Sequence, residues 1–360
     1  MSRICVIGSH VRPFVELASV HGHGVSAADG FNDWDLSHFL RGEKIGAETP
    51  ALRGAALLSE WEKLPDDPII FCSPIESFPE ILESAVEKRT VLNSPATAVR
   101  LCRDQRFLRT VHAEGILFPE ISFEEGSTGP GWIIKGQNSC GGAGIRHDDG
   151  KLSPGEYRQK FIEGKSVGAI YFTSGGETQL CGVAEHINLG FKFAGCVFTA
   201  GAKDGANEAI GEFGKKLASA TGLLGWWGAD FVLADGSAYL LEVNPRFTAG
   251  MELMAKSFGT DIFDTQRRAF SGDLCHIKAK GSVGYLGRTV VYSRNTTVFR
   301  EPEKWFLKGL RDLPFDGRTI AKDEPLVSIY STGSSREDCM ANMARRRAEF
   351  EEIVYGKGIY

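Results

Sequence analysis

The 360-residue sequence has no C-x-x-C pair, no long apolar run, no excess of positive charge and no glycine fingerprint after its first strand. Each absence removes a class of protein. The eight cysteines (Cys5, Cys72, Cys102, Cys140, Cys181, Cys196, Cys275 and Cys339) are scattered, most of them in apolar segments. Free cysteine there behaves as a small hydrophobe, which argues for reduced thiols and against a disulfide framework. No apolar stretch approaches the ~18 residues of a membrane span. The opening MSRICVIGSH reads as a strand rather than a signal-peptide core, so a cytoplasmic protein with no membrane partner is expected. With 41 Lys and Arg against 46 Asp and Glu, the net charge of −5 gives no overall attraction for nucleic acid. Anion binding must come from a local pocket. Finally, GSHVRP after the first strand lacks the second and third glycines of G-x-G-x-x-G, so the dinucleotide signal is missing.

What is present is an ordinary globular composition, 42% hydrophobic and 24% charged, with 43 glycines. The length suits two or three subdomains. Up to residue 95, apolar runs (RICVIG, GVSAADGF, PIIFCSP) alternate with helical patterns (VRPFVELASVHGH, PALRGAALLSEWEKL, SFPEILESAVEKR). This alternation predicts a parallel sheet with helices on its faces. Open sheets of this kind bind ligands at their strand ends, where Glu76 is a candidate substrate residue. One helix is expected over ATAVRLCRDQRFLRTVHAEGILFP, ended by Gly115 and Pro119. A β-rich stretch follows, with a Gly-Gly turn, then the amphipathic helix NEAIGEFGKKLASATGLLG and two strands, WWGADFVLA and SAYLLEVN. Residues 276–360 add strands and a charged helix that completes the fold, its arginines forming a solvated face.

Chemistry concentrates in two places. Lys135 ends the apolar strand WIIK, and Gly136, Ser139, Gly141, Gly142 and Gly144 follow it. Such a loop can close backbone N–H groups on phosphate oxygens while the lysine supplies charge, although no Walker P-loop is present. Further on, AYLLEVNPRFTAG ends a strand with Glu242, Asn244 and Arg246. Alternation puts Glu242 and Asn244 on one face, with Leu241 and Val243 packing on the other. Carboxylate and amide oxygens are hard ligands suited to Mg²⁺, with Asp230 on the preceding strand as the second carboxylate. A two-residue turn would put Asp230 and Glu242 on opposite faces. A three-residue loop, Ala234-Asp235-Gly236 with Gly236 left-handed, is therefore expected. Arg246 is suited to neutralising a phosphate or carboxylate.

Taken in this order, the lysine–glycine loop, Asp230 and Glu242-x-Asn244-Pro245-Arg246 make the sequence resemble the ATP-grasp superfamily, within its carboligase-like branch related to biotin carboxylase. The similarity covers roughly residues 95–275. It implies a Rossmann-like pre-ATP-grasp domain over residues 1–95, followed by a two-subdomain ATP-grasp fold over 96–275, divided near 160. The fold class is thus α/β joined to α+β. The resemblance further implies that Lys135, Gly141, Gly142 and Gly144 hold phosphate. Gln159 and the backbone of Lys160, Phe161 and Ile162 hold adenine. Asp230, Glu242 and Asn244 hold Mg²⁺, with Mn²⁺ as a substitute, and Arg246 faces the reacting phosphate. Family members usually carry a second phosphate lysine where this chain has Gln105, in RDQRF. Arg106 or Arg103 is the candidate replacement, and no ribose acid is evident at 165–167.

The implied activity is an ADP-forming carboxylate–amine ligation through an acyl phosphate, on small amino-acid or cofactor-type substrates. Glu185 and His186 in CGVAEHIN are further substrate candidates, able to orient or deprotonate an amine. Alternatives are a biotin-type carboxylase subunit, a kinase that stops at a phosphorylated product, and a regulatory subunit without turnover. A homodimer is compatible with all of them.

Overall fold

Two kinds of strand meet in this chain: short, largely apolar ones near the amino terminus, and the longer ones beyond residue 165 that build the large sheet. The structure, a computed structural model, describes residues 2–42, 44–46, 53–124, 129–137, 141, 142, 144–200, 205–279 and 284–356. Strands β1 (Arg3–Gly8), β2 (Gly24–Asp29), β3 (Lys44–Gly46) and β4 (Ile69–Phe71) form a parallel sheet in the order β3-β2-β1-β4. Helices cover it: α1 (Arg12–Val20), the single turn α2 (Ala55–Leu58) and α3 (Pro79–Val86). Burial on both faces explains the unbroken apolar runs of β1 and β4.

The long helix expected after residue 95 is instead two: α4 (Ala96–Arg103) and α5 (Gln105–Leu108). Asp104 separates them. Its carboxylate accepts from the Arg106 and Phe107 N–H groups, starting a new helix where the periodicity alone suggested continuity. Similarly, the helix expected over PALRGAALLSEWEKL shortens to α2 and a following tight turn, after Gly54 at φ 58°. Strand β5 (Ile116–Leu117) leads to a small sheet made of β6 (Ile121–Ser122), β7 (Trp132–Gly136), β8 (Arg146–His147) and β9 (Glu156–Lys160), ordered β6-β9-β7-β8.

The large sheet has eight strands in the order β18-β15-β12-β11-β10-β13-β14-β5. Its members are β10 (Lys165–Ser174), β11 (Glu177–Leu189), β12 (Lys192–Phe198), β13 (Gly225–Ala234), β14 (Ser237–Asn244), β15 (Tyr285–Tyr292) and β18 (Pro325–Gly333), with β5 at its edge. The short strands β16 (Thr297–Val298) and β17 (Thr319–Ile320) pair separately. Helix α6 (Ala206–Thr221) packs Ile210, Phe213 and Leu217 against Tyr171, Trp227 and Phe231 on one face. The other face carries Ile170, Ala184 and Phe198. It packs against α1, α7 (Ala249–Phe258) and α8 (Ile262–Phe270), so it lies between the sheet and the amino-terminal region. Helices α9 (Pro302–Leu307) and α10 (Arg336–Tyr355) complete the chain. Among the described residues, no helix is long and apolar enough to cross a membrane. The seven described cysteines are buried and unpaired with one another, as the reading of reduced thiols expects.

Candidate functional site

The β13–β14 hairpin departs from expectation in an informative way. Its turn has two residues, not three: Ala234 pairs with Ser237, and Asp235 and Gly236 both have positive φ, 50° and 75°. That is the turn an Asp-Gly pair favours. Continued unbroken, this register would place Asp230 opposite Leu241 and turn Glu242 to the other face. Instead the register shifts between Asp230 and Phe231, so Phe231 opposes Leu240 while Asp230 opposes Glu242. Leu241 is the extra residue of a β-bulge, and it does not pack with Val243 as alternation predicts. The bulge, not the loop length, brings the two carboxylates onto one face.

A line of polar contacts runs from that point. The Asn244 amide donates to Asp230 Oδ2 at 3.1 Å. Arg246 Nη2 donates to Asn244 Oδ1 at 3.1 Å. Arg246 then grips Glu76 of the amino-terminal region, with Nε 2.9 Å from both carboxylate oxygens and Nη2 2.6 Å from Oε1. Burial raises the Glu76 carboxyl, but the Arg246 guanidinium outweighs it and holds the group below its ordinary value. Arg103 adds to that field and donates to the Gln137 carbonyl, just past Lys135 and Gly136. Arg106 instead is exposed, with its guanidinium 5.6 Å from the centre of the Phe123 ring. Gln105 accepts from Arg109 at 3.0 Å. Of the two candidate replacements for a phosphate lysine, Arg103 is the one on the Glu76 side.

Asp230 behaves oppositely to Glu76. Burial and the neighbouring Glu242 carboxylate push it well above the usual carboxylate range. Two adjacent carboxylates with no cation between them fit a divalent metal, and the Asn244 amide oxygen is a compatible third donor. In this structure that oxygen faces Arg246 and the amide NH₂ faces Asp230, so ligation through Asn244 requires the amide to turn over.

His186 projects toward the same face, its Nε2 4.0 Å from Asp230 Oδ1 and its ring edge-on to Phe193. Burial lowers it to about 4, leaving it neutral near pH 7. Gly168, which pairs with Asp230 across β10–β13, makes this approach feasible: a Cβ there would fall 2.5 Å from His186 Nε2. An isolated glycine inside a strand pattern signals such close approach, and this one was legible in KSVGAIYF. Glu185 is a correction. Being adjacent to His186 on an extended strand, it points to the opposite face, where Arg336 holds it bidentately and Lys165 lies 3.2 Å away. The structure does not bring Glu185 to the site.

On the small sheet, Lys135 pairs with Tyr157, and Ile133 with Gln159, so all four side chains share one face. Lys135 and Gln159 are buried. The hinge after β9 leads directly into β10. The N–H groups of Lys160 and Phe161 already donate to the Glu120 and Gly131 carbonyls, both at 2.8 Å. Of the glycine loop, Gly141, Gly142 and Gly144 have φ of 62°, 78° and 77°. Gly142 lies against the β11–β12 turn, where a Cβ would meet the Phe191 carbonyl at 1.8 Å. Ser139 and Cys140 lie outside the described residues.

Comparison with known proteins identifies this assembly. Residues 106–250 match the family model described as ATP-grasp domain. That stretch is similar to an ATP-grasp domain. The carbamoyl phosphate synthase large chain of Clostridium perfringens is 26% identical over 148 residues, 40% of this chain and 13% of that protein. The match thus spans only about an eighth of that relative's length. Among solved structures, the fold is similar to L-amino acid ligase from Bacillus licheniformis, with a TM-score of 0.72, 16% identity, and 97% and 98% of the two chains covered. It is also similar to N5-carboxyaminoimidazole synthetase from Staphylococcus aureus complexed with ADP, with a TM-score of 0.71, 15% identity and 97% of both chains covered. At these identities the structural likeness establishes the fold alone, and the matched stretch sits within it.

Proposed function

We propose that this protein is an ADP-forming carboxylate–amine ligase acting on small molecules. The observation that carries the reading is the Asp230–Glu242 pair, placed by a bulge beside Asn244 and Arg246 in an ATP-grasp domain. A substrate carboxylate oxygen attacks the γ-phosphorus of ATP, and the bond to the ADP oxygen breaks. An amine nitrogen then attacks the acyl carbon, inorganic phosphate leaves, and the amine loses a proton.

Asp230, Glu242 and Asn244 would hold Mg²⁺ or Mn²⁺, which when bound offsets phosphate charge. Lys135, from the small sheet, and Arg246, from the large sheet, supply cationic charge from two sides. Glu76 keeps Arg246 extended across the boundary with the amino-terminal region, so the guanidinium is pre-set rather than searching for its geometry. With burial lowering it to about 4, His186 is too weak a base to deprotonate an amine efficiently, so its role is to orient through a hydrogen bond. The ligase named among the similar structures supports the reading at the level of reaction class.

The test is an ADP-release screen of carboxylate and amine pairs with Mg²⁺, followed by mass spectrometry. An amide product with one phosphate per ADP is expected. A stable phosphorylated product without an amide would point to a kinase, and a bicarbonate-dependent carboxylated product would point to the carboxylase alternative.

A further inference from the structure

Eight residues beyond the end of β14, Glu252 lies in a buried ionic cluster that the proposed chemistry does not use. Helix α7 starts at Ala249, three residues beyond Arg246, and one turn into it Glu252 is completely buried. Glu252 accepts from Lys256 at 2.9 Å, Tyr330 at 2.7 Å, and Arg12 and Arg288 at 3.3 Å each. Arg12 belongs to α1 of the amino-terminal region and is also completely buried. It donates as well to Glu16, to Asp312 at 2.7 Å and to the Tyr330 hydroxyl at 2.6 Å. Arg288, on β15, reaches Asp312 at 2.8 Å. One carboxylate therefore ties together α1, α7 and the carboxy-terminal strands.

Such a cluster is a costly way to gain stability, because apolar residues of equal volume often do as well or better. What it does supply is fixed registration between elements. The Glu76–Arg246 pair needs that registration, because its two halves lie on the amino-terminal region and at the end of β14. We infer that Glu252 is a positioning residue for the ligase reaction: through Arg12 and α7 it sets the amino-terminal region so that Glu76 meets Arg246. This rests on the ligase reading for its kinetic consequence but not for its structural one.

The test compares wild type with Glu252→Gln, which keeps the shape and removes the charge. Hydrogen exchange at 76–78 and 246–248 is expected to speed up while the centre of the β10–β13 pair stays protected. Turnover, read as ADP release, is expected to fall ~10–100-fold from misplacement of the reacting groups, with affinity for Mg·AMPPNP within about twofold, since misplacement acts on chemistry more than on nucleotide binding. Glu252→Gln with Arg288→Gln, which restores the net charge of the cluster, is expected to recover part of the turnover. Should Glu252→Gln fail to fold, Arg12→Lys supplies the same readouts. Unchanged local exchange, uniformly raised exchange, or a parallel loss of nucleotide affinity and turnover would overturn the inference. If wild type does not bind Mg·AMPPNP, the ligase reading fails while the exchange result still decides the positioning role.

Discussion

Two acidic sites, one completely buried and one half-buried, lie on the same face of the large sheet, and their carboxyls are shifted in opposite directions. Around Glu252, burial raises the carboxyl, but Lys256, Arg12 and Arg288 more than reverse this and hold it far below its ordinary value. Asp312 is held low in the same way by Arg12, His10 and Arg288, against its own burial. At Asp230 the nearest strong influence after burial is another carboxylate, Glu242, and the group is held high. The first site is electrically complete within the chain. At the second, carboxylate faces carboxylate, and the proposed cation site rests on that arrangement. Similar residue types, sorted by what faces them, separate architecture from chemistry.

The widest break in that comparison should come from removing one carboxylate at each site. Glu252→Ala removes one carboxylate partner from each of two buried guanidinium groups and should cost about 3–5 kcal/mol of stability in denaturant titration. Glu242→Gln should do the reverse to the nucleotide-free fold, leaving its melting temperature unchanged or raised, because it relieves like-charge crowding. Its ADP formation should nevertheless fall about 100- to 1,000-fold, the scale of losing a charge-stabilising group. A melting temperature that drops equally in both variants would erase the distinction.

Acid sharpens the comparison further. His186 has its folded value lowered from 6.5 to about 4, so between those pH values the unfolded state binds more protons. Its contribution to stability is therefore lost as pH falls through that window, and His186→Gln should flatten the stability profile there. Asp230 acts with the opposite sign: its raised value makes the metal-free fold lose stability as pH climbs above 3.8. Saturating Mg·AMPPNP should remove that loss. The smallest effect is expected at the rim of the complete site, where the Lys256 side chain is 25% exposed. Lys256→Met should cost only about 1 kcal/mol, as for a partly screened pair.

How much of this the sequence contained depends on the range of each interaction. The alternating strands and helices before residue 95, and the run Glu242-x-Asn244-Pro245-Arg246, are local patterns and were readable. So was the pairing of β13 with β14, although the two-residue Asp235-Gly236 turn follows ordinary turn chemistry and the parity argument did not allow for a bulge at Leu241. Periodicity missed the helix break at Asp104 because a single side-chain cap decides it. The Arg12–Glu252–Arg288–Asp312 cluster was not legible at all: Arg12 and Asp312 are 300 residues apart, and each reads in sequence as a surface charge. Strand alternation already puts Glu185 and His186 on opposite faces; that Arg336, on α10, holds Glu185 was the part out of reach.

The central claim is that the Asp230–Glu242 pair is a cation site in which burial and like charge hold Asp230 above the usual carboxylate range when no metal is bound. Calorimetry of Mg·AMPPNP binding, carried from neutral into acid pH in buffers of different ionisation enthalpy, tests it directly. The account predicts proton release on binding to wild type, and both weaker affinity and diminished release with Asp230→Asn. Equal affinity for the two proteins, with no proton released by either, would contradict it.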